Sequence, residues 1–310
     1  MSPVRCVSRI VLICRDVERL AEFYARAFGF ASIGDSPEND ADFARLIGEG
    51  RGTVRTSALR LGSQHVVLAQ PKPPGGLYPA DVPGWSSQFQ HFAIVVSDMP
   101  AAFAALRAIS GWTAISTGGP QMLPESSGGV SAFKFRDPEG HPLELLAFPR
   151  DATPAAWALR AEKSFLGIDH SAISVAETAR SVAFYEGLGL ARIGGSLNTG
   201  PQQQALDGLA DAVVEVTALA PPLHRTPHLE LLCYRGDFVR HEAVSGTTDL
   251  AATELVFAMA PQAFAATIRR NRAAVVGGPI VSRRGRSRVL LRDPDGHLLC
   301  LEAEPPGEGQ

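Results

Sequence analysis

Residues Arg9–Phe30, RIVLICRDVERLAEFYARAFGF, and His170–Leu190, HSAISVAETARSVAFYEGLGL, follow one plan. Each opens on an apolar run rich in β-branched residues and continues with apolar residues at helical spacing. Each then closes on Phe-Tyr and a glycine stop. Two further segments begin in the same way, His91–Ile109 (HFAIVVSDMPAAFAALRAI) and Ala252–Asn271 (ATELVFAMAPQAFAATIRRN). The starts at 9, 91, 170 and 252 recur roughly every eighty residues, the mark of a repeated structural unit. The chain reads as one unit used four times, arranged as two copies of a pair.

The second copy shows the order inside a unit. Phe92–Val96 predicts a buried strand. Asp98-Met99-Pro100 supplies a capping acid and an early proline, and Phe103 and Leu106 continue the apolar stripe of a helix. Val130–Phe135 alternates as a strand, Asp137-Pro138-Glu139-Gly140 forms a tight turn, and Pro142–Phe148 returns as the last strand. The fourth copy repeats that ending as Val289–Arg292, Asp293-Pro294-Asp295-Gly296 and Leu298–Ala303. The expected organisation is one pair of units over 1–148, a linker over 149–164 with two prolines and a short helix, a second pair over 165–303, and a tail over 304–310.

Composition bounds the function. With 310 residues, 45% hydrophobic and 20% charged, the chain has the balance of a globular protein of about two domains. The formal charge of −3 and scattered basic residues argue against nucleic acid as a partner. The run Arg283, Arg284, Arg286, Arg288 reads as a solvated loop. No stretch approaches the roughly 20 apolar residues of a membrane span, and Arg5, Arg9 and Arg15 interrupt the one apolar run a signal peptide could use. Cys6, Cys14, Cys233 and Cys300 lie far apart without a CxxC pair, so they are expected as reduced core residues of a cytoplasmic protein.

The DPEGH and DPDGH turns, the two Phe-Tyr helix ends and the fourfold period together resemble the vicinal-oxygen-chelate superfamily. That superfamily includes glyoxalase I, methylmalonyl-CoA epimerase, extradiol dioxygenases and antibiotic-resistance proteins. The resemblance implies an α+β fold in which four βαβββ modules form two cupped sheets, each module able to offer one metal ligand from its first strand and one from its last. On this chain the first-strand positions are Arg9, His91, His170 and Ala252; the last-strand positions are Val66 (beside His65), Glu144, Glu230 and Cys300. Modules two and three then present His91, Glu144, His170 and Glu230, while modules one and four present essentially nothing. Pairing the modules 2+3 and 1+4, as in fused two-site glyoxalases, puts the whole set in one cup and leaves the other blank.

Two imidazoles and two carboxylates suit one divalent ion, Zn, Ni, Mn or Fe(II), with coordination positions left for substrate oxygens. The resemblance implies a Lewis-acid ion stabilising an enediolate, with Glu144 as the proton acceptor and Glu230 as its counterpart. It thus implies an isomerase or lyase acting on a small oxygenated molecule, as a monomer or homodimer. Two alternatives stand beside it: an Fe(II) extradiol dioxygenase using two His and one carboxylate, and a non-catalytic ligand-binding protein of the resistance type. Taken singly, His91 reads as an ordinary core or rim histidine, whereas Glu144 on an apolar strand is costly without a partner. His65, His141, His228 and His297 sit beside turns or strand starts, His228 on the same strand face as Glu230. Cys300 reads as core, and Phe23-Tyr24 and Phe184-Tyr185 as helix-to-sheet packing.

Glutathione is not the expected co-substrate. Ser174, Tyr234 and Ser87 stand where glyoxalase I would place Arg, Asn and Arg, and Ser126-Ser127-Gly128-Gly129 replaces a basic loop residue. Loops at Pro71–Gly84, Ser116–Gly129 and Gly194–Pro201 are expected to shape the pocket mouth.

Overall fold

Each repeat begins with the strand and helix that its apolar spacing predicts, and then returns as further strands. The computed structural model describes residues 3–36, 41–48, 52–80, 82–158, 162–236, 238, 245–282 and 285–304. The first repeat contains β1 (Val4–Ile13), α1 (Val17–Phe28), β2 (Ala31–Ser36), α2 (Ala41–Leu46), β3 (Thr53–Leu61) and β4 (Gln64–Lys72). The second contains β5 (Gln90–Val96), α3 (Met99–Arg107), β6 (Thr113–Ala114), β7 (Gln121–Met122), β8 (Ser131–Arg136) and β9 (Pro142–Ala147). After a short helix α4 (Ala155–Ala158), the third runs β10 (Phe165–Ser174), α5 (Thr178–Leu188), β11 (Ala191–Asn198), α6 (Pro201–Asp207), β12 (Val214–Ala220) and β13 (His228–Tyr234). The fourth runs β14 (Glu254–Met259), α7 (Pro261–Arg270), β15 (Val275–Val281), β16 (Ser287–Arg292) and β17 (Leu298–Ala303).

The strands make two mixed sheets. One has nine strands, in the order β11-β12-β13-β10-β5-β9-β8-β6 with β7 against β8, and so joins strands of the second and third repeats. The other has eight, in the order β15-β16-β17-β14-β1-β4-β3-β2, and joins the fourth and first. Alternation along the strands divides the faces. Phe92, Ile94 and Val96 of β5 join the main core with Leu20, Tyr24 and Phe28 of α1 and Leu106 of α3, while His91 and Ala93 face the other way. No helix among the described residues is long and apolar enough to cross a membrane. All four cysteines are free thiols.

The two sequence motifs explain each other. Asp137 Oδ1 accepts from the backbone N–H groups of Glu139 and His141 (2.9 and 3.0 Å), which shapes the turn, and Oδ2 accepts from Tyr24 Oη at 3.1 Å. His141 sits 2.8 Å from Asp137 Oδ2 and 2.9 Å from the Ile13 carbonyl. Burial opposes its charge, but Asp137 outweighs burial and raises its pKa, as suits an imidazolium between two acceptors. In the other half Asp293 repeats the arrangement with Asp295, His297 and Tyr185, and His297 reaches the Ser174 carbonyl at 2.8 Å. The tyrosine comes from one repeat and the turn from the next, so the pair of motifs locks neighbouring repeats together. His141 and His297 are thereby committed to structure.

Three sequence expectations need correction. Gly194–Asn198 is not a loop but part of β11, paired along its length with β12. Arg283 and Arg284 lie outside the described residues; Arg288 belongs to β16 rather than to a solvated loop, and both it and Arg286 pair with Glu302. The fourth repeat's first-strand position is Glu254, not Ala252: Val256 pairs Cys300 as Ala93 pairs Glu144 and Ala172 pairs Glu230, and two residues earlier stand Glu254, His91 and His170.

Candidate metal centre

Four adjacent strands of the nine-stranded sheet, β13, β10, β5 and β9, each place one side chain on the same face. His91 of β5 lies opposite Ala172 of β10, Glu144 of β9 opposite Ala93, and Glu230 of β13 opposite Ala172. His91, Glu144, His170 and Glu230 all line one cavity of about 240 Å³. His91 Nε2 is 3.1 Å from Glu144 Oε2, and His170 Nε2 is 3.6 Å from Glu230 Oε2. Donor atoms of His91, Glu144 and His170 lie within 4.8 Å of one another.

The electrostatics match the donor set. Burial holds His91 below its ordinary pKa in spite of Glu144, leaving a neutral imidazole. Its Nε2 faces Glu144 at ion-pair distance, and neither buried ring nitrogen makes a hydrogen bond among the described residues. Burial would raise Glu144 and Glu230, but the histidines overcome it: His91 with Lys134 holds Glu144 low, and His170 with His228 pulls Glu230 down to about 2. Burial works against His170 too, yet Glu230 and Asp169 raise it to about 9. A cavity with two ionised carboxylates and a buried imidazole whose ring nitrogens make no hydrogen bond among the described residues is chemically suited to a divalent cation.

The structure adds residues that pattern reading missed. Asp169 Oδ2 lies 3.1 Å from His170 Nδ1 and 3.7 Å from His228 Nδ1, and its Oδ1 accepts from Trp157 Nε1 at 3.0 Å. An acceptor at Nδ1 turns the other ring nitrogen, Nε2, toward the cavity. Asp169 and His170 are consecutive yet both line the cavity, because an irregularity between Ile168 and Ser171 breaks the alternation of β10. Trp157 lies in α4, within the stretch read from sequence as a linker. His228 lines the cavity as well, with Nε2 3.3 Å from Glu230 Oε1. A second missed group is Lys134 of β8, whose Nζ donates to Asp207 Oδ1 of α6 at 2.7 Å; Gln203 Nε2 donates to the other oxygen at 2.7 Å. His65 belongs to β4 of the eight-stranded sheet.

The other cup carries charged groups of a different kind. Arg9 and Glu254 stand where the first cup has His91 and His170. Arg9 makes two hydrogen bonds to Glu302 (2.9 and 2.8 Å), and Arg288 Nε adds a third at 2.6 Å. The remaining space is filled: Phe43 and Leu46 of α2 pack with Val11, Ile13, Val256, Leu290 and Cys300. Paired arginines and a hydrophobic plug leave that cup without the cavity-lining imidazole and carboxylate set of the first.

Residues 7–145 match the model of the Glyoxalase/Bleomycin resistance protein/Dioxygenase superfamily. The likeness by sequence rests on that stretch. The likeness of fold extends over the whole chain. Glyoxalase I from Zea mays superposes with a TM-score of 0.63 at 16% identity, covering 96% of this chain and 92% of its own. A putative dioxygenase from Bacillus subtilis superposes at 0.57 and 12% identity, covering 99% and 87%. At such identities the likeness speaks for the fold alone and leaves the chemistry to the site. No curated protein sequence matches the chain.

Proposed function

We propose that the protein is a divalent-metal-dependent enzyme that moves a proton at a carbon beside a carbonyl group, the isomerase or lyase chemistry of glyoxalases and epimerases. The observation that carries this reading is the meeting of His91, Glu144, His170 and Glu230 on one face of one cavity. These four would hold Zn, Ni, Mn or Fe(II). When bound, the ion supplies Lewis-acid stabilisation for negative charge developing on a substrate oxygen. Glu144 takes the proton, being kept ionised by His91 and Lys134, and Glu230 faces it from across the two central strands. Leu123, Leu146, Leu206 and Val216 form an apolar wall that excludes water from the reacting centre.

The fourth donor favours this chemistry over Fe(II) ring cleavage, which uses two His and one carboxylate and needs the remaining positions open. The cavity also fits a substrate smaller than a glutathione adduct, since about 240 Å³ falls below the roughly 300–1,000 Å³ of ordinary small-molecule pockets. Ser174 is buried with its hydroxyl donated to the Gly84 carbonyl, and Tyr234 packs in an apolar cluster, so neither is placed to meet a peptide carboxylate.

The test is proton exchange in D2O, followed by NMR, on protein loaded in turn with each ion. Small 2-hydroxy and 2-oxo compounds should acquire deuterium beside the carbonyl. Glu144→Gln should abolish the exchange. Catechol ring opening with Fe(II), without exchange on any of these compounds, would replace this reading with the oxygenase.

A further inference from the structure

Lys134 is a charged side chain in a place that packing alone would fill with an apolar one. It lies directly across the β8–β9 ladder from Glu144, and neighbours so placed share a face. It is only 4% exposed and lines the cavity, and among the described residues it is the one lysine or arginine that does so. Buried lysines occur almost only when paired. Asp207 provides the pair, but replacing such a pair by apolar residues generally costs no stability, so pairing does not account for its presence.

Its surroundings hold it in position. Asp207 is fixed by Gln203 from the same helix, and the backbone N–H of Lys134 donates to Ser116 Oγ, which in turn donates to the Leu206 carbonyl. Lysine and helix are thus tied at two points. An ammonium group has three donors, and Asp207 takes one of them. Burial opposes the charge, but Asp207 and Glu144 outweigh it and keep the group cationic.

We propose that Lys134 recognises an anionic oxygen of the substrate, so that the substrate class is a small carboxylate carrying a hydroxyl or oxo group on the adjacent carbon. The adjacent oxygen and one carboxylate oxygen would face His91, Glu144, His170 and Glu230, and the remaining charge would meet the ammonium. Asp207 and Gln203 hold Lys134 ready, so the charge-assisted contact needs no rearrangement when the substrate binds. This inference rests on the metal-centre reading above.

The experiment is calorimetric titration of the Mn-loaded protein with oxalate and with oxamate, in which an amide replaces one carboxylate, alongside metal content by plasma mass spectrometry. The variant Lys134→Met/Asp207→Asn removes both charges together. Wild type should hold about one ion per chain, and the variant should keep the ion while its preference for oxalate over oxamate narrows about tenfold. An unchanged preference with the ion retained overturns the role of Lys134 and leaves the metal centre standing. A wild type that holds no ion removes both. Should the double variant fail to fold or lose the ion, Lys134→Arg must keep the preference and Lys134→Gln must lose it; equal behaviour of those two also overturns the proposal.

Discussion

Glu254, in the eight-stranded sheet, should make the protein less stable as pH rises from about 4.5 to about 7. The side chain is 1% exposed, and neither oxygen has a hydrogen bond among the described residues. Burial lifts its carboxyl from 4.5 to about 7, with Arg9 and Arg288 opposing only in part. The unfolded chain gives up this proton near pH 4.5, whereas the folded chain keeps it to about pH 7. Between those values the folded state binds the extra proton, so stability falls by about 1.4 kcal/mol per pH unit and levels off above. From pH 5 to pH 8 the loss amounts to roughly 2–3 kcal/mol. Glu254→Gln cannot titrate. Urea unfolding of both proteins at pH 5, 6, 7 and 8 should therefore show the variant gaining on wild type by that amount, whatever their difference at pH 5. Carboxylates held low, such as Glu302, act in the opposite direction in both proteins and cancel in the comparison. A difference that stays flat with pH would refute the reasoning.

Further outcomes follow from the same contacts. Trp157→Phe keeps a ring in place but removes the N–H donated to buried Asp169, and should weaken metal binding about 10- to 100-fold in a chelator competition at a stability cost of about 1–3 kcal/mol in urea unfolding. Tyr24→Phe deprives buried Asp137 of one donor and should cost about 1–2 kcal/mol in urea unfolding, with metal content unchanged. Lys134→Met alone strands the buried Asp207 carboxylate and should cost about 3–5 kcal/mol, most of which Lys134→Met/Asp207→Asn restores. Equal melting of those two variants would show that the pair is not the strained element.

Much of this molecule is legible in its sequence because the unit recurs. A strand, a helix carrying Phe-Tyr in its second half and a DPEGH turn carry their own local signals, and their repetition shows which positions correspond. His91, Glu144, His170 and Glu230 stand at such positions, and the structure gathers them at one cavity. What escaped was the part set by irregularity or by distant partners. Asp169 was hidden because a regular strand would turn it away from His170; a local break in the ladder lets both face inward. Glu254 was displaced by two places because an ungapped offset cannot see where the fourth repeat's register falls. Lys134 and Asp207 carry no mutual signal, since one lies on a strand and the other on a helix of a different repeat. Gly195 read as loop, yet it keeps β11 close to β12: a Cβ there would lie 2.6 Å from the Val216 carbonyl oxygen.

The central claim is one metal centre built from two repeats, and metal content by plasma mass spectrometry tests it most directly. Wild type and the variants His91→Ala, Glu144→Ala, His170→Ala and Glu230→Ala would each be reconstituted with Zn, Ni, Mn and Fe(II) and then desalted. The account predicts about one ion per wild-type chain, with retention weakened in every variant. A wild type that retains none of the four ions, or variants that all retain them undiminished, would contradict it.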